Sequence, residues 1–157
     1  MTPQTKLSTR LKFVSDLIDL RHPLWDVCCD HGYLGEWALR SQCPEVHFVD
    51  AVPSIIHKLQ NRLAPHLNKV QGKAHFYAQP GEDVVQNLVG TLVVLGVGPH
   101  IILRILEKAP RSGNTFILGP QRNPEKVEIW LKSHGIVYEI FQVQEGERER
   151  VIIKAQA

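Results

Sequence analysis

One short stretch, Asp26-Val27-Cys28-Cys29-Asp30-His31-Gly32-Tyr33-Leu34, gathers acids, two adjacent thiols, an imidazole and a glycine, and a further acid, Asp50, follows a second apolar run and precedes Ala51. A carboxylate at Asp50 can accept both hydrogen bonds from the vicinal hydroxyls of a ribose. It follows Gly32 at close to the spacing of about 20 residues at which an acid follows the glycine fingerprint in dinucleotide sites. Gly32, lacking a Cβ, lets a ligand lie against the backbone. Asp30 and His31, side by side, could accept a proton from a reacting group; equally, they could be a pair that fixes the turn by hydrogen bonds. Each of the other residues also has a plain alternative. Asp26 could cap a helix or pair with Arg21, Asp50 could be a turn residue, Gly32 could serve only a tight turn, and Tyr33 could stack on a base or simply pack. Their joint placement at successive strand ends favours a ligand site.

Such a site needs a frame that brings strand ends together. Apolar Leu7, Leu11, Val14, Leu17 and Ile18 recur at three- and four-residue steps, predicting an amphipathic helix over 6–19. Strand, glycine-bearing turn and helix are predicted at 24–29, 32–35 and 36–41, and again as a strand at 46–49 ending in Asp50 with a helix over 54–67. A third strand over 74–78 leads to Gln79-Pro80-Gly81 and a short helix from Glu82. The apolar run 92–95 suits a parallel strand covered on both faces, and Gly96-Val97-Gly98-Pro99 then opens a helix over 101–108. A fifth strand at 115–118 and a helix over 124–134 follow. Two strands, 137–143 and 150–154, then close the chain as an antiparallel hairpin around a polar turn at 144–149. Ligands of an open parallel sheet bind beyond its carboxyl strand ends. Asp26, Cys28, Gly32, Tyr33, Leu34, Asp50, Ala51, Gln79, Glu82, Gly96 and Gly98 are therefore the candidate cofactor-binding residues, with Gln79 or Glu82 placed to bond an adenine amino group. Among the scattered cations, Arg10 and Arg122 are the candidates for substrate phosphate, against a default of solvated surface.

Composition fits one α/β domain over 1–157: 43% of residues are hydrophobic and 22% charged, and a chain of this length can bury a core without staples. No apolar run is long enough to span a bilayer, and no secretory pattern opens the chain, so a cytoplasmic protein with no membrane partner is expected. The three cysteines make a poor disulfide framework. With His31 and His47, they match no common zinc spacing, so no metal is expected. The net charge of +2 neither demands nor excludes a nucleic acid. Five β-α steps closed by a hairpin make the order of a Rossmann-like class I methyltransferase, a mostly parallel doubly wound sheet with an antiparallel end.

Leu7-Ser8-Thr9-Arg10-Leu11 followed by Asp26 to Leu34 resembles the L-S-x-R-L and D-V-G-S-D-H-A-Y-L segments of the bacterial tRNA (adenine-22)-N1-methyltransferase family. Leu95-Gly96-Val97-Gly98-Pro99 is similar to its A-G-M-G-G, and Phe116-Ile117-Leu118-Gly119-Pro120 with Trp130-Leu131 and Gly135 to its L-I-L-Q-P and W-L-x-x-x-G. The resemblance implies S-adenosylmethionine as methyl donor and N1 of a tRNA adenine as acceptor, with Asp30 and His31 as catalytic residues. The oligomeric state is left open. Three positions depart from the pattern: Cys28 stands for the first motif glycine, Pro99 for the glycine after Gly98, and Gly119 for a glutamine. Members also carry a helical C-terminal extension, and this sequence stops after the terminal hairpin. Two rivals therefore stay open, a non-catalytic S-adenosylmethionine-binding module and a methyltransferase of small molecules. A nicotinamide oxidoreductase, drawn from Gly96-x-Gly98, lacks the third glycine and the following acid.

Overall fold

The computed structural model describes residues 6–157. Seven strands form one sheet in the order β3-β2-β1-β4-β5-β7-β6. Here β1 is Leu24–Val27, β2 Glu45–Val49, β3 Lys73–Tyr77, β4 Thr91–Val97, β5 Thr115–Pro120, β6 Val137–Glu145 and β7 Arg148–Gln156. The first five are parallel, and β7 enters antiparallel between β5 and β6. This is the doubly wound sheet with an antiparallel end that the element order predicts. Strand order reverses at β1, between β2 and β4, and a ligand crevice opens at that kind of switch point.

Helices α1 (Thr9–Asp16), α2 (Tyr33–Arg40), α3 (Pro53–Leu63), α4 (Pro99–Lys108) and α5 (Pro124–Ser133) cover the two faces. One core joins Trp25, Val27 and Val49 to α4 and α5 through Ile102, Ile105, Val127 and Leu131. The other joins Leu24, Val46 and Phe48 to α1, α2 and α3 through Val14, Leu34, Ala38 and Leu59. Alternate residues of one strand feed opposite cores, the period-two signature of a sheet buried on both sides. Among the described residues, no helix is long and apolar enough to cross a membrane.

Most elements shift by a residue or two at their ends, and α2 begins at Tyr33, inside the predicted glycine-bearing turn, so that Gly35 is helical; four elements differ more. The first helix is Thr9–Asp16 rather than 6–19. Ser8 caps it by accepting from the Leu11 amide at 3.2 Å, and beyond it Asp19 accepts from the Arg21 amide and guanidinium in a turn. Leu17 and Ile18 still pack inward without being helical. Helix α3 stops at Leu63 and tightens into a 3₁₀ segment, Ala64–Lys69, because Pro65 has no N–H and its ring would crowd the preceding turn. The short helix from Glu82 is two 3₁₀ turns, Gly81–Asp83 and Val85–Asn87. The closing hairpin is longer than predicted, with Glu145 opposite Arg148 and only Gly146 and Glu147 in the turn. Gly146 takes φ +62° there. The polar residues read as a loop are the ends of two strands with a solvent-exposed edge.

Candidate functional site

Between β1 and α2 the backbone turns sharply, and Cys28, Asp30 and Gly32 have φ of +59°, +50° and +73°. Left-handed geometry is free only for glycine and mildly tolerated by Asp and Asn. The conformation at position 28 thus explains the motif glycine that cysteine replaces. Gly32 is required by its φ and by packing, since a Cβ there would lie 2.7 Å from Leu59 Cδ1 of α3. Gly35 has a similar constraint, its Cβ position being 2.3 Å from the Phe48 ring of β2. Gly32 therefore seats the turn on α3, whereas the backbone left open for a ligand is at Gly96. There β4 pairs irregularly with β5, φ is +72°, and a Cβ would meet nothing nearer than the Arg10 guanidinium at 3.8 Å.

The turn is held by carboxylates. Asp26, buried at the end of β1, accepts from the Gly35 amide of α2 at 3.1 Å. Asp50 follows β2 directly and accepts from the Asp30 amide at 3.2 Å and the Val52 amide at 3.0 Å, while its own amide donates to the Tyr77 carbonyl of β3 at 3.1 Å. A cleft of about 610 Å³ opens over these groups. Of the predicted residues, Asp26, Cys28, Asp30, His31, Gly32, Tyr33, Leu34, Asp50, Ala51, Gly96 and Arg10 line it together.

Gln79, Glu82, Gly98 and Arg122 do not line the cleft. Gln79 lines a second depression, with Trp25, His47 and Tyr77, because β3 is the edge strand and its carboxyl end falls away from β1. Glu82 lies in the first 3₁₀ turn. Gly98 is buried before α4, with an Arg122 guanidinium nitrogen 3.3 Å from its Cβ position, so Arg122 sits beyond the cleft at the β4 and β5 ends. Pro99 opens α4, where its missing N–H costs nothing. Gly119 is buried in β5, its Cβ position 2.7 Å from Leu95 Cδ2.

The structure adds Glu145, Ser8, Ile55 and Leu95 to the lining. Glu145, at the tip of the β6–β7 hairpin, accepts from the Arg10 amide at 3.1 Å, a contact between distant segments that no local spacing encodes. At the mouth, the Asp30 carboxylate lies 4.0 Å from His31 Nε2, and the two side chains are 71% and 69% exposed. The His31 ring stacks on Tyr33 with centroids 5.3 Å apart. Arg62 of α3 lies 5.2 Å from the Tyr33 ring centroid, donates to the His31 carbonyl at 2.6 Å and pairs with Glu36. Arg62 and Glu36 are thus positioning residues for this mouth; the Glu36–Arg40 spacing on α2 hints at Glu36, and no local spacing points to Arg62.

Burial, with smaller contributions from the carboxylates of Asp50, Asp26 and Glu82, pushes the Cys28 thiol up to about 12. It stays neutral and is no nucleophile. Burial also raises Asp26 to about 7, helped by the nearby Asp50 and opposed by the Gly35 amide. A carboxyl group held protonated in the fold stabilises it fully below the unfolded pKa near 3.8, and that contribution is lost as pH rises towards 7. Asp26→Asn keeps an oxygen for the Gly35 amide and removes the titration. Between pH 4 and 7 the parent's stability should therefore fall relative to the variant, by about 1.4 kcal/mol per pH unit at most. Denaturant midpoints of both proteins across that range measure the difference; parallel curves would refute a buried neutral Asp26.

Residues 7–152 match the family described as "Methyltransferase domain". A curated Mycoplasma pneumoniae protein, provisionally named a tRNA methyltransferase, is 28% identical over 137 residues. The match covers 82% of this chain, and the chain spans only 61% of that relative's length. M. capricolum TrmK, solved in complex with S-adenosyl-homocysteine, superposes with a TM-score of 0.84 at 18% identity, covering 96% of this chain and 68% of that one. The B. subtilis tRNA methyltransferase TrmK gives 0.84 at 20% identity, covering 98% and 67%. The fold is that of the Rossmann-like class I methyltransferases.

Proposed function

The chain belongs to the methyltransferase domain family, and from that premise we propose that it binds S-adenosylmethionine in the cleft at the ends of β1, β2 and β4 and transfers the methyl group to N1 of an adenine in tRNA. One observation carries the reading: the buried Asp26, the Asp50 carboxylate and the open backbone of Gly96 converge on one cleft.

The residues present fit the cofactor. Each Asp50 oxygen accepts one backbone N–H, and a carboxylate has about four acceptor sites, so lone pairs remain for both hydroxyls of a ribose. Asp26, on the cleft floor, holds the turn between β1 and α2 in place through the Gly35 amide. Leu34, Ile55 and Leu95 supply apolar wall, and Ala51, Cys28 and Gly32 shape the floor. The cofactor supplies an activated methyl on its sulfonium. The chain's own task is to align the acceptor nitrogen and receive the proton that the adenine sheds. Asp30 and His31, exposed at the mouth, are assigned that proton. Tyr33, 40% exposed at the mouth beside His31 and Arg62, is assigned to stack on an incoming base. Arg10 at the cleft edge and Arg122 beyond Gly98 are assigned to RNA phosphate.

The tRNA assignment draws on the motif resemblance and on the similarity to the TrmK proteins. Its test is incubation of the chain with S-adenosylmethionine and unmodified tRNA, followed by mass spectrometry of the digested nucleosides. N1-methyladenosine is expected. Methylation of a small molecule with none in tRNA would overturn the substrate, and failure to bind S-adenosylmethionine would overturn the whole reading.

A further inference from the structure

We propose that Glu45, His47 and His75 bind a divalent transition-metal ion of the zinc class on the β2–β3 side of the sheet, apart from the cofactor cleft. Glu45 and His47 are two apart on β2 and so share a face. The parallel register sets His75 of β3 directly opposite His47. The two imidazoles stack with centroids 4.6 Å apart and planes 14° from parallel, and Trp25 of β1 stacks on the other side of His47 at 3.8 Å and 6°. Three neighbouring strands thus set the rings side by side, and because an imidazole binds a metal in its own ring plane, the two rings turn out of this stack when both Nε2 atoms share one ion.

Glu45 Oε1 lies 3.1 Å from His47 Nε2 and 2.9 Å from His75 Nε2, and one ligand atom from each of the three residues lies within 4.8 Å of the others. Donors bound to zinc at about 2.0–2.1 Å in a tetrahedral site sit about 3.3 Å apart. His75 Nε2 is closed off from solvent and has no directed hydrogen-bond partner among the described residues, although Oε1 is so near. A buried nitrogen left in that state is costly in a native protein, and a metal ion would satisfy it. His47 Nδ1 is 2.9 Å from the Tyr77 hydroxyl. With the ion on Nε2, Nδ1–H donates to Tyr77 and fixes the ring, as outer partners of metal-bound histidines do.

Two imidazoles and one carboxylate suit zinc, iron or nickel rather than magnesium or calcium. The neighbouring depression of about 540 Å³, lined by Glu45, His47 and Tyr77 with Gln79 and Asp83, leaves room for water or another ligand on the remaining positions. Because β3 is the edge strand, the ion would fasten it to β2. Zinc spacing along the sequence misses this set because its third member comes from another strand.

The test is calorimetric titration of the whole, chelator-stripped chain with zinc chloride, with cobalt(II) absorption as a second readout. One ion per chain is expected, with a cobalt spectrum free of sulfur charge transfer. His75→Ala and Glu45→Gln, both at partly exposed positions, should each lower affinity at least tenfold, and Tyr77→Phe about tenfold. Zinc should raise the melting temperature of the parent and not of His75→Ala. No binding at micromolar zinc, unchanged affinity in both ligand variants, or a thiolate cobalt band placing the ion on the cysteines would overturn the proposal. The cluster would then be a carboxylate set between two histidines and nothing more.

Discussion

Replacing Asp50 with alanine is expected to weaken S-adenosylmethionine binding by about 10- to 150-fold, corresponding to the roughly 1.5–3 kcal/mol of charge-assisted hydrogen bonds to a ribose diol. The carboxylate also organises its surroundings. It accepts from the amides of Asp30 and Val52, so the variant loses both the contact to the ligand and part of what holds the turn in place. Asp50→Asn separates the two effects. Its amide oxygen can keep one backbone bond while the charge is gone, so affinity should fall by an intermediate amount. Calorimetry with S-adenosylmethionine and S-adenosylhomocysteine reads both variants; affinity unchanged in Asp50→Ala would remove the site from this cleft.

Asp30→Asn should leave cofactor affinity within a few-fold of the parent and lower turnover by about 10²–10⁴-fold, the usual contribution of a proton acceptor. The substitution is clean in structural terms. Asp30 adopts φ +50°, a conformation that asparagine tolerates equally, and its side chain is exposed, with His31 Nε2 4.0 Å away. If His31 receives the proton instead, Asp30→Asn retains most activity and His31→Ala removes one limb of the pH–rate profile. Single-turnover rates with tRNA decide between them. Normal turnover in both variants would show that alignment alone carries the reaction and the proton leaves to water.

Much of this cleft was readable because its parts are local. Asp26 to Leu34 and Asp50 lie at strand-to-helix junctions, where a change from period-two to helical patterning marks the place, and alternation along β1 and β2 fixes which residues face which core. The role of Gly32 was only half readable. Its need for a positive φ follows from a tight turn, but the Leu59 side chain beneath it comes from α3. Gln79 was misplaced because an apolar run says nothing about whether its strand is central or at an edge. Glu145 and Arg62 were unreadable for the same reason, since each reaches the site from an element distant in sequence. Pro65 could have shortened α3 on sight.

The Arg10–Glu145 contact also bears on the order in which the protein can be made. Chains emerge from the ribosome amino end first and fold as they appear. Strands β1 to β5 can assemble in parallel while still tethered, but β6 has no place in the sheet until β7 has emerged to lie between it and β5. Only then does the hairpin tip reach Ser8 and Arg10, which precede all seven strands in the chain. The wall of the cleft therefore forms after the parallel part of the sheet, so a nascent chain can hold a nearly finished sheet before its cleft is complete.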